Sequence, residues 1–234
     1  MRRQLIILAI LPAIGACGAG GIAVCSVPSC ASLARGTPNY GKWPAPPHSF
    51  TGAYPGGGSN GYDRRVARVH WRDGQEVIYG ATFFLPRPFM RNIQSEVDLV
   101  RWDNFTDHPN DTDWGGVGIL HSDHLAHLMR FNAAGDVTTL VGPFKLPIGR
   151  WFRIEVRQLF SDVNGQAFNE VYINNHLIGR SRRANTYGRP IDHLRAGLVA
   201  IGEGAQTHPL TLLYAQPFAT GVSPHRFFHN LKRP

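Results

Sequence analysis

Cysteine, acidic side chains and charge in general are scarce in this 234-residue chain, and each scarcity excludes something. Its three cysteines, Cys17, Cys25 and Cys30, all precede residue 31. The rest of the chain therefore holds neither a thiolate-ligated metal nor a cysteine nucleophile. Charged residues make up 17% and hydrophobic ones 43%, too apolar a balance for a disordered chain. No long helical periodicity appears, which excludes a helical bundle. The sixteen acidic residues are outnumbered by twenty-four lysines and arginines, for a net charge of +8. Such a surface favours acidic partners: uronic-acid polysaccharides, teichoic acids, anionic headgroups or nucleic acid. The arginines are mostly scattered singly, and the clusters Arg180-Ser-Arg182-Arg183, His225-Arg226 and Lys232-Arg233 are short. No recognition helix, zinc spacing or base-stacking motif accompanies them, so nucleic acid is not the expected partner.

What is present begins with an address. Arg2-Arg3, the apolar run Leu5–Ile14 and then Gly15-Ala16-Cys17 form a secretory signal. Its end resembles a bacterial lipobox, which implies lipidation of Cys17 after removal of residues 1–16 and anchoring to the membrane through that lipid alone. Plain cleavage and an uncleaved anchor are the other readings, and all three place the domain outside the cytoplasm. In that oxidising setting Cys25 and Cys30 can close a disulfide. Residues 17–61 are rich in Gly, Pro and Ser and read as a tether, residues 62–222 as the folded domain, and 223–234 as a basic tail.

Within 62–222 about eleven short strand signals alternate with turn chemistry such as Asp73-Gly, Asn164-Gly and Asn174-Asn175. This predicts an all-β antiparallel sandwich. The run Leu146-Pro-Ile-Gly-Arg-Trp151, Phe152–Gln158, Val163-Asn-Gly-Gln166 and Val171–Gly179 resembles the concanavalin A-like jelly-roll superfamily. That superfamily holds laminin-G-like domains and the alginate- and heparin-lyase type of polysaccharide lyase. Tyr79-Gly-Ala-Thr-Phe-Phe-Leu-Pro86 resembles its groove-edge strand, and His193-Leu-Arg-Ala-Gly-Leu-Val199 resembles the lyases' late Tyr-Phe-Lys-x-Gly-x-Tyr strand. The likeness spans roughly residues 62–220 and implies the fold more than an activity.

A polyuronate lyase neutralises a carboxylate, removes the proton at C5 and protonates the leaving oxygen. By resemblance Arg195 stands where the lyases keep lysine, His193 replaces their first tyrosine, and Val199 occupies the place of their catalytic tyrosine. His121, His124 and His127 are alternative bases and Tyr187 an acid, so the expected lyase set is Arg195, His127 and Tyr187. Glu96-Val-Asp98 resembles part of the retaining β-glucanase motif, but Val100 and Arg101 stand where its second glutamate belongs, which removes the proton donor of a double displacement. Strand alternation predicts Glu96, Asp98 and Trp102 on one open face, with Trp102 as a platform for a sugar ring and the carboxylates accepting hydroxyl hydrogen bonds. Arg153 and Arg157, with Glu155, share one face of their strand and can read an anionic sugar. His121, Asp123, His124 and His127 straddle a turn, so no metal site is expected from them. Asp107, Asp111 and Asp113 lie in a polar loop that is either solvated or holds calcium through oxygen; no other cofactor is implied. The expected function is an exported, lipid-anchored carbohydrate-binding or envelope-interaction module. A divergent lyase of acidic polysaccharide and a structural cell-surface protein are the alternatives.

Overall fold

The computed structural model describes residues 40–57, 61–104, 113–132, 134–201 and 206–232. The segment read as a secretory signal, Cys17, Cys25, Cys30 and most of the acidic loop, including Asp107 and Asp111, lie outside them.

The strands are β1 (Phe50–Tyr54), β2 (Tyr62–Trp71), β3 (Glu76–Phe84), β4 (Val97–Asp103), β5 (Trp114–Leu120), β6 (Leu125–Phe131) and β7 (Val137–Phe144). There follow β8 (Trp151–Leu159), β9 (Phe168–Ile173), β10 (His176–Ser181), β11 (Ile191–Ile201), β12 (Leu210–Ala219) and β13 (Phe228–Lys232). A single helical turn, α1 (Phe89–Asn92), links β3 to β4. A six-stranded sheet runs β1-β12-β3-β8-β9-β10 and a seven-stranded sheet β13-β2-β11-β4-β5-β6-β7, with antiparallel pairing throughout. Two such sheets stacked on one core make the chain an all-β sandwich of concanavalin A-like jelly-roll type.

Period-two alternation explains the layers. In β8, Phe152, Ile154 and Val156 are buried while Arg153, Glu155 and Arg157 alternate outward half-buried. In β2, Ala67, Val69 and Trp71 enter the core while Arg68 and His70 are exposed. Between the sheets, the Gln158 carbonyl oxygen accepts from the Tyr79 hydroxyl (2.7 Å) and the Trp102 indole N–H (3.3 Å), and its amide donates to Asn169 (2.7 Å). These otherwise costly buried polar groups thus satisfy one another.

The sandwich is wider than residues 62–222. The segment read as tether contributes β1, which pairs with β12 from Phe50↔Tyr214 to Tyr54↔Leu210. The segment read as tail contributes β13, which pairs with β2 from Phe228↔Val66 to Lys232↔Tyr62. Both are short strands among turn-forming residues, so composition conceals them, and their place is set by the open edges of β12 and β2.

Candidate functional site on the outer face of the seven-stranded sheet

The strand register lays polar side chains in rows across the face that points away from the core. In one row Arg68, His193, Asp103, Trp114 and Phe131 sit opposite one another on β2, β11, β4, β5 and β6. In the next, Val66, Arg195, Arg101, Gly116 and Met129 align, and in another Asp98, Gly118 and His127. Adjacent strands lie roughly 4.8 Å apart, so the rows cover a compact floor.

Asp103 organises it. Arg195 Nη2 lies 3.0 Å from its Oδ1, Arg101 Nε 3.6 Å from its Oδ2, and His193 Nδ1 3.8 Å from its Oδ1. Arg101 also donates through Nη1 to Asp98 Oδ2 at 3.2 Å, and its guanidinium stacks over the Trp114 ring at 4.3 Å. Arg64, on the same face of β2, lies over the Tyr62 ring at 3.5 Å and donates to the Val199 carbonyl oxygen. These groups are shielded: Asp98 is 2% exposed, Arg64 5%, His127 6% and Arg195 7%. In such a poorly solvated site each charge acts strongly on its neighbours. Burial raises the Glu96 carboxyl to about 8, with Asp98 pushing it further up. Burial also raises Asp98, opposed by Arg101. It lowers Arg64 and Arg195, and it lowers His193 against the pull of Asp103.

His127 faces this floor from β6. Its Nε2 lies 2.9 Å from Asp123 Oδ2. An ionised carboxylate there favours the Nε2–H tautomer, which leaves Nδ1 as the lone-pair nitrogen, buried and without a hydrogen-bond partner. Gly142 borders that nitrogen, and a Cβ there would stand 3.1 Å from it. Gly118, between Asp98 and His127, is required for a similar reason: its Cβ would meet Asp98 Oδ1 at 2.5 Å. The missing side chain lets the Asp98 carboxylate lean over β5.

The sequence-predicted residues divide between several places. Arg195, His127, Glu96 and Asp98 belong to this face. Trp102 does not: it is 1% exposed within the core, against Phe160. A β-bulge between Asp98 and Val100 inserts a residue into β4 and reverses the alternation beyond it. Arg101 and Asp103 are thereby turned outward, and Trp102 inward. Arg153 and Arg157 lie on the other sheet, on the far side of the sandwich. There Arg153 contacts the Phe218 ring (3.9 Å) and Glu155 (3.4 Å), and Arg157 lies 5.9 Å from the Tyr172 ring. They cannot line a groove with Glu96 and Asp98. Tyr187 stacks with Arg130, whose guanidinium is 4.4 Å from its ring. Arg130 stands three residues beyond His127, toward the opposite end of β6, so Tyr187 is not a partner of His127. Among the described residues no group of three or more His, Cys, Asp or Glu is arranged to hold a metal ion.

Sequence reasoning missed Arg64, Arg101, Asp103, Tyr62 and the stacked Trp114–Phe131 pair, whose rings are 4.7 Å apart and nearly parallel. The one available signal was Trp114-Gly-Gly-Val-Gly118, in which Gly116 and Gly118 stand at alternating positions of a strand and admit close approach from a neighbour.

No protein-family model matches the chain, and no curated protein sequence does either. Solved structures do share its fold. Alginate lyase vAL-1 from Chlorella virus aligns with a TM-score of 0.53 at 10% identity over 72% of this chain and 83% of that one. The endo-β-1,4-glucuronan lyase of the fungus Trichoderma reesei aligns at 0.51 and 13% identity, over 73% and 79%. Alginate lyase Aly36B aligns at 0.50 and 11%, over 76% and 84%. The chain is therefore a jelly-roll sandwich structurally related to several polysaccharide lyases.

Proposed function

We propose that this protein is a polysaccharide lyase that cleaves an acidic polysaccharide by β-elimination on the outer face of its seven-stranded sheet. The observation that carries the reading is convergence on a glycine floor: Arg64, Arg101 and Arg195, the carboxyls of Glu96 and Asp98, and a carboxylate-held histidine. The arginines suit the uronate carboxylate, whose negative charge grows as C5 loses its proton. The His127 ring, held through Nε2 by Asp123, suits the base, with Asp123 stabilising the imidazolium that forms. The fold relationship to alginate and glucuronan lyases supports an acidic polymer as substrate.

The test is ultraviolet absorbance of unsaturated uronate, with the full chain and a panel of polyuronates and glycosaminoglycans. We expect rising absorbance on at least one polymer, abolished by Arg195→Ala. A flat trace on every polymer overturns the lyase. Val199, where the resembling lyases keep tyrosine, favours a second reading, a module that binds such a polymer without cutting it. Retention on an affinity gel with a flat trace would support that reading. Export and tethering through Cys17 belong to the proposal as well. They rest on Ile14-Gly-Ala-Cys17, and labelling with an alkyne fatty acid, absent in Cys17→Ser, tests them.

A further inference from the structure

The lyase chemistry has a base in His127 but needs a proton for the departing glycosidic oxygen, and Tyr187 lies elsewhere. We infer that Glu96 and Asp98 hold one proton between them and that Glu96 delivers it to that oxygen. This role rests on the lyase reading above.

Three features of the geometry point there. Glu96 immediately precedes β4 and Asp98 is the second residue of that strand, and their carboxyls lie within hydrogen-bond reach of each other. Asp98 is 2% exposed, and its Oδ1, like Glu96 Oε1, is buried with no N–H or hydroxyl of another residue donating to it. Two carboxyls this close in a shielded site do not both ionise, because the second charge would face the first with little solvent between them. Lastly, Asp98 Oδ1 occupies the space above Gly118, directly between β4 and His127 on β6. The carboxyl pair and His127 therefore flank one floor, with only Gly118 of β5 between Asp98 and His127.

Among the described residues, Arg101 and Arg64 are the cations that face the pair. Burial works against ionising either carboxyl, but Arg101 on β4 hydrogen-bonds Asp98 and Arg64 on β2 acts on it from beyond β11, so the single charge of the pair falls on Asp98 and the proton on Glu96. Glu96 retains its proton at neutral pH, its carboxyl lying at about 8 through burial and the adjoining Asp98 charge.

In the step itself, the His127 ring takes the C5 proton and the C–H electrons form the C4–C5 double bond. The C4–O4 bond breaks, and O4 leaves with the Glu96 proton. One proton is gained by the protein and one given up, so exchange with water restores both groups and nothing else is consumed.

The test measures turnover by unsaturated-uronate absorbance, and retention of the same polymer on an affinity gel, with the full chain across pH. Turnover of the unsubstituted protein should fall as pH rises through about 8, where Glu96 loses its proton. Glu96→Gln should lower kcat by about 100-fold or more, leave polymer retention within about twofold and abolish that alkaline fall. Asp98→Asn removes the charge that holds the Glu96 proton and should move the fall to lower pH, which a purely structural contact would not do. Full turnover in Glu96→Gln with the alkaline fall intact overturns the inference alone. If Glu96→Gln misfolds, an unmoved profile in Asp98→Asn overturns it equally. An unsubstituted protein that produces no unsaturated uronate overturns the lyase reading, and this inference with it.

Discussion

At the scale of single residues, a titration is also a statement about stability. The folded Glu96 carboxyl sits at about 8, against a usual value of 4.5. Between those values the folded chain holds a proton that the unfolded chain has released. Stability tied to this group is therefore complete below the unfolded value and is lost as pH rises through about 8. Glu96→Gln removes the dependence, so its melting temperature should exceed that of the unsubstituted protein at pH 9 and differ little at pH 4, as differential scanning calorimetry can show. His127→Asn keeps the size of the side chain but not a basic nitrogen. Turnover should fall about 100-fold with polymer retention unchanged, and an undiminished rate would remove His127 from the chemistry.

At the scale of elements, the sequence was legible wherever alternation ran undisturbed. In β8 the pattern from Phe152 to Arg157 separates core from solvent correctly, yet it does not say which sheet the strand joins. Arg153 and Arg157 do point outward, but from the sheet that lies across the sandwich from Glu96 and Asp98. In β4 alternation held up to Asp98 and then failed, since a bulge has no signature in hydrophobicity when Leu99 and Val100 are both apolar and both buried. The loss of Trp102 from the site, and the unforeseen entry of Arg101 and Asp103, follow from that one inserted residue. The core side of the same strand is testable. Gln158→Leu leaves the Trp102 indole N–H and the Tyr79 hydroxyl without their shared acceptor, at a cost of about 1–3 kcal/mol for each buried group left unmatched. The denaturant midpoint should drop accordingly, and an unchanged midpoint would mean that other partners replace Gln158. On the opposite face Gly118→Ala forces Asp98 out of its place above β5. It should reduce turnover at least tenfold while the far-ultraviolet circular dichroism spectrum remains that of the unsubstituted protein.

At the scale of the whole molecule, the two sheets have separate work, and both depend on how their edges are closed. The residues proposed for chemistry project from β2, β4, β6 and β11 of the seven-stranded sheet, with Glu96 just before β4, and β2 would be an edge of that sheet were it not for β13. β2 carries Arg64 and Tyr62, and β13 pairs directly opposite them, at Asn230 and Lys232. In the six-stranded sheet β1 covers β12 in the same manner. Neither covering strand could be read from composition, because an edge strand of five residues gains its place largely from the backbone groups it satisfies, and of the β1 side chains it is Tyr54 that enters the core. A chain cut to residues 62–222 would keep most of the core yet expose two unpaired strand edges, a template for edge-to-edge association. It should elute as oligomers or aggregate, whereas residues 40–234 should remain monomeric on size-exclusion chromatography. If the shorter chain were equally monomeric and equally stable, β1 and β13 would be ornaments on an independent 62–222 unit. If only its turnover were lost, β13 would be a support for the Arg64 end of the site rather than a guard against association.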